Sequence, residues 1–140
     1  MMLTAIVAVG AACGLATVAG WLINRRSGTI RVTQPDREPR NPEVQFSGSG
    51  PTIVHFSAPW CGPCSRVRRV VDEVCGDLGE PSPVSHIEID IDANPTAAQQ
   101  FSILSLPTTL IFDADGRQRY RSTGVPKAAD LRSALLPLLA

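Results

Sequence analysis

From Leu3 to Ile23 the chain runs for 21 residues, LTAIVAVGAACGLATVAGWLI, without an acidic or basic side chain. A helix rises about 1.5 Å per residue, so this run is long enough to cross a hydrocarbon core about 30 Å thick. No face of it is polar, which argues against a helix lying half-buried on a soluble domain. Trp21 stands near the end of the run, where an indole suits the lipid–water interface. Arg25 and Arg26 follow at once, with Arg31, Arg37 and Arg40 behind them. The N-terminal side carries only the α-amino group. The positive-inside rule therefore predicts a single-pass transmembrane helix within residues 1–24, N-terminus outside and the remainder on the cytoplasmic side of the cell membrane. A cleaved signal peptide is the rival. TVAG offers small residues for cleavage, but MMLT lacks Lys and Arg and the apolar run is long for a signal core.

Residues 25–50 read as a linker. They carry Pro35, Pro39 and Pro42, interspersed charges and a terminal SGSG. Within them TIRVT, Thr29 to Thr33, is β-branched and alternating, the pattern of an edge strand. No helix pattern and no internal repeat appears. Hydrophobic residues make up 44% of the chain and charged residues 19%, enough apolar material for a folded core and too little charge for global disorder. Thirteen Lys and Arg balance thirteen Asp and Glu. A basic face for nucleic acid is not indicated, and nucleic acid is not an expected partner.

Residues 51–140 carry the pattern of an α/β domain. TIVHFSA is apolar on both faces apart from His55, as a central strand would be. A helix is expected from about Cys61 to Leu78, with Val67, Val70, Val71, Val74 and Leu78 on one side and Arg66, Arg69, Asp72 and Glu73 on a solvated one. VSHIEIDI alternates, so Ile87, Ile89 and Ile91 should share a buried face opposite His86, Glu88 and Asp90. NPTAAQQF opens a short helix with Asn94 as N-cap and Pro95 at the first helical position. TTLIFDADGRQRYRSTG gives two strands about a turn at Asp115-Gly116. Lys127 to about Leu136 closes as an amphipathic helix laying Leu131, Ala134 and Leu135 on the sheet, with Pro137 ending it. Crossover helices followed by a hairpin imply a mixed sheet.

Two cysteines two residues apart, Cys61 and Cys64, admit three readings: a working dithiol, half of a metal site, or ordinary core residues. A zinc site needs a second ligand pair; Cys75 and His86 do not form one, and no metal is expected. Cys75 suits the margin of the helix's buried face and Cys13 the apolar run. The dithiol reading has the stronger physical logic. Cys61 lies at or near a helix N-terminus, where free N–H groups and the dipole favour a thiolate, the nucleophile of disulfide exchange. Gly62 and Pro63 fill the gap, and Pro63 stiffens the first turn at little cost. Cys61 would attack and Cys64 would resolve.

FSAPWCGPC followed by a helix, then IDANP, LPTTLIF and DGRQRYRSTG, together resemble the thioredoxin family from about Thr52 to the C-terminus. The resemblance implies a thioredoxin fold, a mixed central sheet flanked by helices. It also implies a protein disulfide reductase without a cofactor beyond the reversible Cys61–Cys64 disulfide, serving protein disulfide substrates. The implied electron donor is a thioredoxin-reductase-type enzyme or another dithiol. It further implies a cis bond before Pro107 and a substrate-docking role for Leu106, Pro107 and Thr108, with Gly124 lining the same groove. Trp60 belongs to the motif.

The chain also departs from the family. Where thioredoxin keeps a buried Asp beneath the second cysteine, paired with a Lys on the next strand, this sequence has His55 and Glu88. His55 would accept the Cys64 proton, with Glu88 orienting the ring or stabilising its charge; a satisfied core histidine and a solvent-facing glutamate are the plain alternative. Ser57 stands in place of a usual Trp, Arg69 in place of a helix-kinking Pro, and the fold's first helix is absent or degenerate. Arg66, Arg68 and Arg69 border the site as a solvated face or a surface for acidic partners or anionic lipids. The reading is a membrane-anchored thiol–disulfide oxidoreductase. The alternatives are an extracytoplasmic exchange protein for secreted clients or cytochrome maturation, and a non-catalytic thioredoxin-fold binding module.

Overall fold

Strand β2, Thr52–Ser57, is buried at every residue because it is paired on both sides. Parallel to it lies β3, Ser85–Asp90, reached through helix α2, Cys64–Asp77; antiparallel to it lies β4, Thr108–Phe112. Helix α3, Pro95–Gln100, connects β3 to β4, and β4 turns back into β5, Gln118–Thr123. Helix α4, Ala128–Leu135, follows and runs into a 3₁₀ turn, Leu136–Leu138, at Pro137. A short strand β1, Ile30–Val32, pairs antiparallel with the outer edge of β5. The five-stranded mixed sheet has the order β1-β5-β4-β2-β3. This computed structural model describes residues 2–25, 28–33, 49–79 and 82–140. Arg26, Pro35, Arg37, Pro39, Arg40 and Pro42 lie outside the described residues, and the expectation about the family's first helix falls there too.

Alternation along the strands separates two apolar layers. Ile53 and Ile111 face α2 and α4, packing with Val67, Val71, Val74, Leu131, Ala134 and Leu135. Val54, Phe56, Leu110 and Phe112 face the other way and meet Ile89, Ala97 and Phe101. Phe101 is tilted on Phe56 at 5.7 Å and edge-on to Phe112 at 5.8 Å, the arrangements aromatic quadrupoles favour. An Arg132–Asp77 ion pair joins α4 to the end of α2.

Three expectations are refined. Helix α2 begins at Cys64, not Cys61, because two successive turns precede it. The Cys61 N–H donates to the Ala58 carbonyl at 3.0 Å and the Cys64 N–H to the Cys61 carbonyl at 3.3 Å. Pro63 is the N-cap, its fixed φ of −67° already helical. Of Ile87, Ile89 and Ile91 only Ile89 is buried, since β3 is an edge strand. Asn94 sits at the N-cap of α3, but its side-chain amide donates back to the Asp90 carbonyl at 3.2 Å rather than capping.

The β4–β5 turn is organised by Asp113, whose Oδ1 accepts the N–H groups of Asp115 at 3.1 Å and Arg117 at 2.9 Å. Gly116 takes φ +76° there, which L-residues with a Cβ resist. Gly28, at φ +85°, brings β1 onto the sheet; a Cβ at that position would run into the Val125 carbonyl oxygen.

Ahead of β1, helix α1 spans Met2–Arg25. Its side chains are described from residue 7 to 23, and all of these are exposed. Among the described residues no helix is long and apolar enough to cross a membrane; the expected span also takes in residues 3–6, whose side chains lie outside them.

Candidate active site

Register gathers the site at one end of the sheet. Phe56 pairs with Thr108 and Thr108 with Thr123, so the ends of β2, β4 and β5 lie side by side. Just past them come the turn from Ala58 to Cys61, then Pro107, then Gly124. Ser57 pairs with Asp90, which brings the turn after β3 to the same end.

Cys61 and Cys64 are joined in a disulfide with 5.6 Å between their Cα atoms. Their surroundings differ. Cys61 is half-buried in the turn, whereas Cys64, in the first turn of α2, is wholly buried. The more open cysteine is thus the one ahead of the helix, and its partner is enclosed. Gly62 and Pro63 between them are exposed, and no atom lies within 4 Å of where a Gly62 Cβ would stand. Trp60 is 68% exposed, an unusual place for an indole. Its Nε1–H donates to Asp92 Oδ2 at 3.1 Å, which holds the ring over the loop after β3.

The Leu106–Pro107 peptide is cis. Leu106 is half-buried, Pro107 and Thr108 are buried, and the Thr108 hydroxyl donates to the Ser105 carbonyl at 2.7 Å. Gly124, at φ +84°, donates its N–H to the Pro107 carbonyl at 2.8 Å, so these two residues are locked together.

His55 lies two residues beyond Ile53 on the same face, under α2. Because α2 returns antiparallel to β2, the later residue sits nearer the helix's first turns. His55 is fully buried, and neither ring nitrogen has a hydrogen-bond partner among the described residues. Burial lowers its pKa to about 4; the Glu88 carboxylate opposes this, and His86 and Arg68 reinforce it. The His86 ring stacks on it at 6.0 Å and 18°. His86 is itself held below the usual imidazole range, chiefly by burial.

Glu88 stands beside His55 across the β2–β3 ladder, yet its carboxylate engages Arg68, at 2.9 and 3.2 Å. Burial pushes the Glu88 carboxyl up, but hydrogen bonds from Ser57 and Arg68 and the neighbouring positive charge outweigh it and hold it below the usual range. Glu88 is therefore not a hydrogen-bonded orienter of the ring in this state. Sequence reasoning read Arg68 as part of a solvated face or a surface for acidic partners or lipids, not as the Glu88 partner, and did not find Asp92 or Thr109, the residue directly opposite His55 on β4. Cys75 is half-buried against the α2 core, its thiol pKa raised by burial, and Cys13 is exposed on α1. No metal-holding group of three or more His, Cys, Asp or Glu occurs among the described residues.

Known proteins share this arrangement. The sequence profile of the family described as Thioredoxin matches residues 38–136. The chain belongs to the thioredoxin family. The thioredoxin of Mycolicibacterium smegmatis is 42% identical over 88 residues, 62% of this chain and 78% of that protein. The thioredoxin of Mycobacterium bovis is 34% identical over 110 residues, 78% and 89% of the two chains. Chloroplastic thioredoxin z, a crystal structure, superposes with a TM-score of 0.57 at 31% identity over 64% of this chain and 79% of that one. Thioredoxin homologues and the Cys-x-x-Cys pair together make this chain a protein disulfide oxidoreductase. Proteins of this family act on protein disulfide substrates through a cysteine disulfide of their own and take electrons from reductases.

Proposed function

We propose that this thioredoxin is anchored in the membrane by its N-terminal helix and reduces protein disulfides at the cytoplasmic face. The observation that carries the chemistry is the unequal burial of the linked cysteines, Cys61 half-open and Cys64 enclosed. In the reduced protein the Cys61 thiolate attacks a substrate disulfide, forming a mixed disulfide and expelling one substrate thiolate, which takes up a proton. Cys64 then gives its proton to His55 and attacks Cys61 Sγ. That bond re-forms the Cys61–Cys64 disulfide and releases the second substrate thiolate. Two electrons pass to the substrate, and a reductase or other dithiol donor restores the thiols.

His55 suits the acceptor role because, neutral at pH 7, it keeps a bare ring nitrogen. Burial makes the imidazolium costly, and the Glu88 carboxylate in the next strand offsets part of that cost. Leu106, Pro107 and Thr108, clasped to Gly124, form the wall on which a substrate strand would dock, with exposed Trp60 opposite. The anchor is supported by the uncharged run Leu3–Ile23 and by the exposure of apolar residues along α1, among them Val7 at 65%, Leu15 at 73% and Ile23 at 71%.

Insulin-disulfide reduction by the full chain in detergent, driven by dithiothreitol, tests the chemistry: Cys61→Ser abolishes it if the reading is right, and equal rates for variant and parent defeat it. A redox titration of the pair decides direction, since a midpoint well above the glutathione pool would make the protein an oxidant. A phosphatase reporter active only outside the membrane, fused at the C-terminus, should stay silent; activity would place the domain outside.

A further inference from the structure

One register row crosses the sheet beneath α2 with a polar side chain on four consecutive strands: Glu88 on β3, His55 on β2, Thr109 on β4 and Ser122 on β5. Residues directly opposite share a face, so all four point to the α2 side. His55, Thr109 and Ser122 are 0%, 1% and 3% exposed. Four of their atoms, His55 Nδ1 and Nε2, Thr109 Oγ1 and Ser122 Oγ, have no hydrogen-bond partner among the described residues. Buried polar atoms are nearly always paired, with protein or with internal water, and four orphans side by side mark a place built for the latter. The next row on the same face is mostly apolar, with Ile53, Ile111 and Tyr120 beyond His86. Polarity is thus concentrated toward the start of α2, with Ser57 next on the same face of β2, and Arg68, one turn after Cys64, reaches Glu88 at the row's end.

We propose that His55, Thr109 and Ser122 bind internal water beneath Cys64, and that Thr109 acts through this water as a positioning residue that fixes the His55 tautomer. This rests on His55 being the proton acceptor. A neutral imidazole has one N–H and one bare nitrogen, and only the bare one can take the Cys64 proton. Water held by the two hydroxyls accepts the ring N–H on the β4 side and leaves the bare nitrogen toward the dithiol. The charged or titratable groups facing His55 are Glu88 and His86 from β3 and Arg68 from α2, with Asp72 facing His86. In this row β4 and β5 contribute hydroxyls alone.

The test uses the full chain in detergent, in a His86→Gln background so that one imidazole titrates. Reduced protein reacts with 5,5′-dithiobis(2-nitrobenzoate); release of the second thionitrobenzoate reads the attack of Cys64 on Cys61. Ring ¹⁵N shifts of labelled histidine read the tautomer. Thr109→Val should slow the second release on the order of tenfold at pH 7, move its pH midpoint by about one unit and mix the tautomers, while Thr109→Ser restores all three. A Thr109→Val protein with the parent's tautomer and a superimposable pH profile overturns the proposal, as does a raised thermal midpoint with both unchanged, the sign of a dry row. His55→Ala separates the two claims. If it leaves the second release untouched, the proton-acceptor reading itself fails; if it slows the release while Thr109→Val does not, only the positioning role falls.

Discussion

Protonating the buried His55 should unfold this domain in acid, and His55→Leu should remove that sensitivity. The ring's pKa falls from 6.5 to about 4 in the folded chain, because burial disfavours the imidazolium more than Glu88 favours it. A depressed histidine pKa means the unfolded chain takes up the proton first. The stability it contributes is whole above pH 6.5 and is lost as pH drops from 6.5 toward 4. One pKa unit corresponds to about 1.4 kcal/mol, so the loss between pH 7 and pH 4.5 comes to ~2 kcal/mol, a large share of a small domain's stability. His86 is shifted in the same direction, and the carboxylates add their own acid dependence. The quantity to read is therefore the difference between parent and His55→Leu. Leucine carries no proton, and its change in packing shifts stability equally at every pH. Urea unfolding of the oxidised protein, followed by tryptophan fluorescence from pH 8 to pH 4.5, supplies both curves. The difference should be flat above pH 7 and should widen by ~2 kcal/mol in favour of leucine at the acid end. Parallel curves across that range would mean that the folded state holds the imidazole charged or opens it to bulk solvent, and the burial argument would be wrong.

Arg68→Ala removes a cation that depresses the His55 pKa and frees Glu88, so the His55 titration followed by NMR should move upward; because the Arg68–Glu88 pair is exposed, stability should change by less than about 1 kcal/mol. Gly124→Ala places a Cβ at φ +84° beside the Pro107 carbonyl that Gly124 holds, and should lower stability by about 1–2 kcal/mol and weaken insulin reduction. A variant as stable and active as the parent would show that the left-handed conformation is not needed there. Asp113→Ala deletes the acceptor of two turn N–H groups and the partner of Arg119, and should lower the urea midpoint by about 1–2 kcal/mol equivalent without touching the dithiol kinetics.

The layers of this fold are legible in the chain because each is a local pattern. The valines of α2 repeat at helical spacing, β2 is apolar on both faces, and Asp115-Gly116 marks a turn whatever surrounds it. Partners across strands are another matter. Alternation tells that Glu88 and His86 share a face of β3, but not that Arg68 from α2 will take the Glu88 carboxylate, nor that Asp92 will take the Trp60 indole. Those choices depend on where α2 lies over the sheet, set by a start at Cys64 that two short turns impose.

The same limit hid Thr109. Its neighbours in LPTTLIF make it an ordinary strand threonine, and only the antiparallel offset of β4 against β2 sets it opposite His55. A departure from the family's pattern at one position is visible in a single line of sequence; its neighbours lie along the register row, perpendicular to the chain. If His55 does replace a buried acid, the hydroxyls of Thr109 and Ser122 are where the sheet has accommodated the exchange. An imidazole needs a partner for its N–H that a carboxylate does not. The row across β2, β4 and β5, not any segment along the chain, is thus the unit in which this thioredoxin's proton chemistry has to be understood.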